Sequence, residues 1–480
     1  MRRTRVLYVA ACCVLVLPAC GSMVSPGQFI NVNGRRGGGG TNSAIAAATN
    51  TAGPLGSGAP TGRAVSTNGT GPGGSNAPGA SNGPGGTGPS GGNQPAVPGI
   101  TAGSCAGFKN TVGISNSTIQ VANASDVSGP VPGLFTAAQQ ATKAYAAYFN
   151  STSTICGRKL NVQNYDSQTS GSGDQQAATQ SCSGSFAMVG SMGAFDSGGA
   201  QTVASCGIPD LRAIITTPER AASPVSFGTD SINPVQVSTA QYRYLKGITG
   251  NAYQHMAVLY LNAGAATPNA LADKATAQHV GFNVVYTQPI DVTTFNYTPY
   301  VTQMKQKGVT FVQYVGAYQY AIKIRQAMES QSLNPAFMMD SVAYDPAFVK
   351  SGGSAIDGTY AFVDTNLFEE ASRSPELQTY LTWLQRVAPG ATPSFFGVFA
   401  WGAMKLFTQL AVQLGGQLTR TSMLTAIRGV HSYTASGLFT TQDVGGKKTP
   451  SCQAVIQLQG AKWVRKSPFP YTCADVFNTK

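Results

Sequence analysis

The chain has 480 residues, of which 42% are hydrophobic and only 10% charged, and a formal net charge of +12. Half of that excess comes from Arg2, Arg3, Arg5, Arg35, Arg36 and Arg63, and the +6 left on the remainder is spread rather than clustered. A nucleic-acid-binding surface is therefore excluded, and the length past the first hundred residues suits two lobes rather than one small domain.

Arg2, Arg3 and Arg5 open the chain, and the apolar run over residues 6–17 that follows is shorter than the roughly 20 residues a membrane-spanning helix needs. Residues 1–19 read as a signal peptide. In Leu17-Pro18-Ala19-Cys20-Gly21 small residues lead directly into a cysteine, the pattern of a lipobox in which the Cys20 thiol is acylated. Two acyl chains there would hold the protein stably at the membrane. Residues 34–103 are dominated by Gly, Ser, Asn, Pro, Thr and Ala and contain no acid. Such a segment buries too little apolar surface to offset its ordering entropy, so residues 20–103 read as a flexible tether. By random-coil scaling, roughly 70 such residues span on the order of 45 Å. Gly88-Pro89-Ser90-Gly91-Gly92 inside it matches the Gly-x-Ser-x-Gly pattern of serine hydrolases, but that serine needs a strand-to-helix elbow this segment cannot form.

From residue 118 the pattern alternates. Strands are expected at 119–122, 160–165, 186–190 and 211–215, with helices at 134–149, 175–181 and 198–204 between them. A second series follows: helix 235–248, strand 256–261, helix 270–279, strand 283–287, helix 297–307, strand 311–315, helix 320–330 and strand 336–339. A strand at 358–364, helices at 375–387 and 395–414, and strands and turns from 436 complete the chain. Alternation of this kind means α/β architecture, two Rossmann-like lobes with parallel sheets covered on both faces. We place lobe 1 at residues 104–232 and 358–436, and lobe 2 at 233–357 and 437–480.

Cys12 and Cys13 belong to the signal segment and Cys20 to the lipobox, which leaves six cysteines for the folded part. An even set in an exported protein reads as disulfides, here with fifteen formal pairings. Cys182 and Cys206 each end a helical stretch just before a strand, so both lie at the same end of neighbouring strands and should pair. Cys452 and Cys473 flank a terminal strand-turn segment, leaving Cys105 with Cys156. No Cys-x-x-Cys occurs, and His255, His279 and His431 are not spaced as ligands, so no metal or other cofactor is expected.

Ligands of open α/β sheets bind outside the carboxyl ends of the strands. The loops to watch are 125–134, 191–197, 216–219, 262–267, 316–319 and 340–344. At these loops the chain resembles the type I periplasmic binding proteins, in their branched-chain amino-acid-binding branch. The resemblance is carried by Ser128-Gly129-Pro130, Tyr165-Asp166, Val189-Gly190, Gly207-Ile208-Pro209, Thr217-Pro218-Glu219 and Tyr314-Val315-Gly316-Ala317-Tyr318, in order along residues 107–475.

That resemblance implies a monomeric, non-enzymatic receptor that closes on a small molecule and delivers it to an ABC permease, its lobes hinged near residues 229–233, 358–363 and 437. A ligand-sensing module of the same fold is the alternative, and a lipid-anchored enzyme a weaker one, since the folded part holds no hydrolase, zinc-protease or P-loop motif. Relatives that bind amino acids grip the carboxylate with a serine whose place here is Ala194, beside Phe195. Their first-loop tyrosine becomes Leu134. Tyr318 is kept, and Asp340 stands near the place of the acid that holds the ammonium. With the amino-acid clamp dismantled, a free amino acid would leave a charge unpartnered. Leu134, Ala194, Phe195, Tyr318 and Tyr344 are expected to give an apolar and aromatic cleft, with Thr216, Thr217 and Asp340 as its polar contacts.

Overall fold

The computed structural model describes residues 100–480. The signal peptide, Cys20 and all but the last residues of the tether lie outside the described residues. Lobe 1 is built from β1 (Thr118–Ser125), α1 (Thr136–Thr152), β2 (Lys159–Asp166), α2 (Gly171–Gly184), β3 (Ala187–Val189), α3 (Ala200–Cys206), β4 (Asp210–Ile214), α4 (Pro218–Ala222) and β5 (Ser226–Asp230). Lobe 2 continues with β6 (Gln236–Ser238), α5 (Ala240–Ile248), β7 (Met256–Leu261), α6 (Ala266–His279), β8 (Val284–Ile290), α7 (Thr298–Gln306), β9 (Phe311–Val315), α8 (Tyr318–Ser330), β10 (Ala336–Met339), α9 (Pro346–Gly352) and β11 (Tyr360–Val363). The chain then returns to lobe 1 for α10 (Pro375–Val387), α11 (Phe395–Leu414) and α12 (Arg420–Arg428). It ends in β12 (Cys452–Gln459), β13 (Lys462–Arg465), β14 (Thr472–Cys473) and β15 (Val476–Asn478).

The lobe 1 sheet is wholly parallel in the order β2-β1-β3-β4-β5, and lobe 2 repeats that order as β8-β7-β9-β10-β11 before adding β12 and β13 antiparallel at its edge. Central strands such as β4, β7 and β9 are buried along their whole length because helices cover both faces; β7 is accordingly a continuous apolar run, while β4 and β9 also bury Asp210, Arg212 and Gln313. The long apolar helix α11 would suffice to cross a membrane by length and composition, but it is packed inside lobe 1 against α1 and β4. Its Trp401 is fully buried edge-to-face on Tyr145 and donates its indole N–H to Glu376.

All three expected disulfides are present, Cys105–Cys156, Cys182–Cys206 and Cys452–Cys473. Cys156, Cys182 and Cys206 precede β2, β3 and β4 at the amino ends of the lobe 1 strands, and Cys105, ahead of β1, is tied to Cys156 there.

Three boundaries differ from expectation. β11 pairs with β10 and β12 inside the lobe 2 sheet, so the chain leaves lobe 2 after Val363 rather than at 358. Residues 437–449 form the third crossing rather than the start of lobe 2: Gln442 accepts from the backbone N–H and hydroxyl of Ser231 at 2.9 Å and donates to Asp364 at 2.8 Å, tying all three crossings together. The expected helix from 235 begins only at Ala240, since residues 236–238 pair with β15 from the far end of the chain.

Candidate functional site

The repeated strand order sets two switch points face to face. In lobe 1 the connections leave β1 and β3 in opposite directions, and in lobe 2 those after β7 and β9 do the same, opening a crevice at the carboxyl end of each sheet. Between them lies a cleft with an empty volume of about 1450 Å³, its open mouth included. All six loops singled out from the sequence contribute to its lining.

The lobes touch across this cleft. The backbone N–H of Ala265 donates to the carbonyl of Ala194 at 2.9 Å, and Gly264 beside it has φ +52°. A Cβ at Gly264 would lie 2.6 Å from the Ala194 carbonyl oxygen and 3.1 Å from the Phe195 ring. Only glycine combines that conformation with that approach, so the two loops form a latch between the lobes.

Lobe 1 presents an apolar wall of Leu134, Phe135, Met192, Phe195, Ile214 and Phe396, with Phe135 and Phe396 packed edge-to-face at 4.8 Å. Its acids stand behind that wall. Asp126 accepts from Ser167 at 2.5 Å and Thr169 at 3.1 Å, and its other oxygen accepts from the backbone N–H of Ala194 at 2.8 Å, fixing the loop that carries Ala194 and Phe195. Asp196 accepts from the Thr216 backbone at 3.0 Å and the Thr217 hydroxyl at 2.6 Å. Arg212 and Arg220, both fully buried, pair with Asp196, Asp210 and Asp174. Burial pushes the Asp210 carboxyl up, but Arg220 and Arg212 outweigh it and hold the group below the usual carboxylate range.

Lobe 2 places its polar groups on the cleft surface itself. Asp273 of α6, Asp340 after β10, Gln241 of α5 and Gln453 of β12 all line it. Asp273 accepts from Gln313 at 2.8 Å, and Gln313 in turn accepts from Tyr242 at 2.9 Å. Desolvation and the neighbouring Asp340 push Asp273 up to about 7, and desolvation pushes Asp340 up to about 7 as well. Among the described residues, no lysine, arginine or histidine lines the cleft.

A family model described as periplasmic binding protein matches residues 118–462. The chain belongs to the periplasmic binding protein family. No curated protein matches its sequence. Among solved structures, a fatty acid ABC transporter substrate-binding protein from Thermomonospora curvata is similar at 16% identity and TM-score 0.63, covering 75% of this chain and 94% of that one. A branched-chain amino acid substrate-binding protein from Streptococcus pneumoniae in complex with isoleucine aligns at 16% identity and TM-score 0.61 over 73% of this chain and 100% of that one. A solute-binding protein from R. palustris in complex with 4-hydroxybenzoate aligns at 16% identity and TM-score 0.61 over 75% and 97%. At these identities the likeness is one of fold: two α/β lobes, as in this family.

Within that fold Leu134, Ala194, Phe195, Thr216 and Asp340 line the cleft, while Thr217, Tyr318 and Tyr344 do not. The Thr217 hydroxyl is spent on Asp196 and on capping α4. Tyr344 is buried in a stack with Phe368, its hydroxyl donating to Glu369 at 2.6 Å and accepting from the Phe368 backbone at 2.6 Å. Tyr318 packs on Phe348. The Thr216 hydroxyl donates to the Gly193 carbonyl at 2.6 Å, which leaves it acceptor capacity only. Sequence reasoning missed Gln241, Asp273 and Gln453, which stand on helices and a terminal strand rather than on strand-end loops.

Proposed function

We propose that this chain is the extracytoplasmic solute receptor of an ABC importer, a monomer that captures a small organic molecule between its lobes and is held at the membrane by lipid on Cys20 through the tether of residues 20–103. The latched cleft between two carboxyl-end crevices carries the reading, because it is a site that a hinge can open and a ligand can hold shut. Among the described residues the cleft lining has no histidine, cysteine, lysine or arginine, which favours binding over catalysis. Leu134, Ala194, Phe195, Thr216 and Asp340 would touch the solute. The tether would join lobe 1 at the disulfide-bearing end of its strands, leaving the cleft mouth clear.

A thermal-shift screen of residues 104–480 against small organic solutes tests the receptor reading, since a ligand at a hundred times its Kd stabilises the native state by about 2.7 kcal/mol. A panel with no hit would count against it. Cys20→Ala tests the anchor separately: membrane fractionation should show release or a trapped precursor, and unchanged processing would remove the lipid from the proposal.

A further inference from the structure

Gln241 is fully buried and lines the cleft, yet neither its side-chain oxygen nor its nitrogen hydrogen-bonds to any protein atom. Gln453, also buried on the cleft wall, has a side-chain oxygen in the same condition. Buried polar groups in folded proteins are almost always paired, and an unpaired one is costly. Other buried polar atoms also lack a hydrogen-bond partner, but among the described residues those of Gln241 and Gln453 are the ones on the cleft wall, where a solute could supply it.

The unpaired set contains acceptors, on Gln241 and Gln453, and donors, on Gln241. A carboxylate only accepts and an ammonium only donates, so neither completes the set, whereas a hydroxyl or a primary amide does both. Charge argues against the carboxylate. A carboxylate would enter a cleft with no cationic side chain and with Asp273 and Asp340 on its wall. Arg212 and Arg220 are outside the lining and form ion pairs with three buried aspartates, although the Arg212 nitrogens and one Arg220 nitrogen have no hydrogen-bond partner among the described residues. The backbone donor at the mouth, Ala265, is taken by Ala194. The apolar residues of lobe 1, including Phe135, Phe195 and Phe396, line the same cleft.

We infer that the solute is an uncharged, mainly apolar molecule ending in a hydroxyl or amide, its body against lobe 1 and its hydrogen-bonding end among Gln241, Gln453, Asp273 and Asp340 of lobe 2. The inference rests on the cleft being a solute site and adds the class of solute. Asp273 and Asp340, whose carboxyls desolvation raises to about 7, offer further hydrogen-bonding groups to a neutral solute end.

The test is calorimetry on the soluble domain with matched sets in which a decyl, a naphthylmethyl or a steroid body ends in hydroxyl, carboxylate or ammonium. At least one hydroxyl compound should bind at micromolar concentration and at least about tenfold more tightly than its charged counterparts. Gln241→Leu should weaken that compound about tenfold while the ligand-free domain melts no lower than wild type, since the substitution removes an unpaired buried amide. Equal or tighter binding of the carboxylate or the ammonium overturns the inference, as does a Gln241→Leu protein that folds and binds like wild type. Binding of a free amino acid or a sugar, with no neutral apolar compound bound, overturns the inference and leaves the receptor reading intact. Absence of binding by any solute class overturns both.

Discussion

The two lobes share a strand order but distribute polarity in opposite ways. Lobe 1 keeps Asp126, Asp174, Asp196, Asp210, Arg212 and Arg220 buried behind its cleft face, where the acids meet arginines or backbone N–H groups, and shows the cleft an apolar surface. Lobe 2 puts Asp273, Asp340, Gln241 and Gln453 on the cleft face, with no cation among them. In the first lobe buried charge fixes loops and strand ends; in the second, Gln241 and the Gln453 side-chain oxygen are buried on the cleft wall without a hydrogen-bond partner among the described residues.

The largest expected effect lies in the lobe 1 network. Arg220 donates to Asp210 at 2.9 Å and to the Asp196 carbonyl at 3.1 Å, so Arg220→Met strands buried carboxylates and should destabilise the domain by about 3–5 kcal/mol in urea denaturation. A loss below about 1 kcal/mol would mean that the network does not hold lobe 1 together as argued. The inter-lobe latch comes next. Gly264→Ala forces a side chain against Ala194 and Phe195, so the closed state should become rarer and solute affinity should fall about a hundredfold, or roughly 2.7 kcal/mol, with the melting temperature of the ligand-free domain little changed. Unaltered affinity would show that closure does not pass through this pair of loops.

Acidity separates the lobes further. An unfolded aspartate ionises near 3.9, whereas Asp273 and Asp340 in the lobe 2 cleft, and Asp364 at the hinge, ionise at about 7 in the fold. Asp230, which faces Asp364 across the crossings, is raised by burial and by that neighbour. Between about pH 4 and 7 the folded protein thus keeps protons the unfolded chain has released, and the stability linked to them is full below that window and lost as pH rises through it. Urea denaturation should find the domain less stable at pH 8 than at pH 5, and Asp364→Asn should narrow the gap by at least about 1 kcal/mol. A variant with the wild-type gap would remove the hinge acid from the account.

The smallest effects sort the cleft aromatics. Phe195→Ala should weaken the bound solute by about 1–3 kcal/mol, as expected for a ring in the lining. Tyr318→Ala, outside the lining, should change affinity by less than about twofold in the same calorimetry.

Much of the architecture was legible in residue order. Periodicity and flanking turns placed most strands and helices, with α10 and α11 predicted to the residue, because burial on two faces leaves a local imprint. The position of each cysteine relative to a strand was enough to pair all three disulfides. The six strand-end loops also followed, since parallel connectivity forces binding loops to one end of a sheet. Tertiary structure alone decided the rest. Gln241, Asp273 and Gln453 come from two helices and a terminal strand, and nothing near them in sequence marks them as neighbours. Gln442 becomes a hinge residue only when three crossings meet, and Gly264 becomes a latch only when lobe 2 closes on Ala194. Local pattern records which face of an element is buried; which distant atoms share that burial, and which of them are left unpaired, depends on sheet order and on the closure of one lobe over the other.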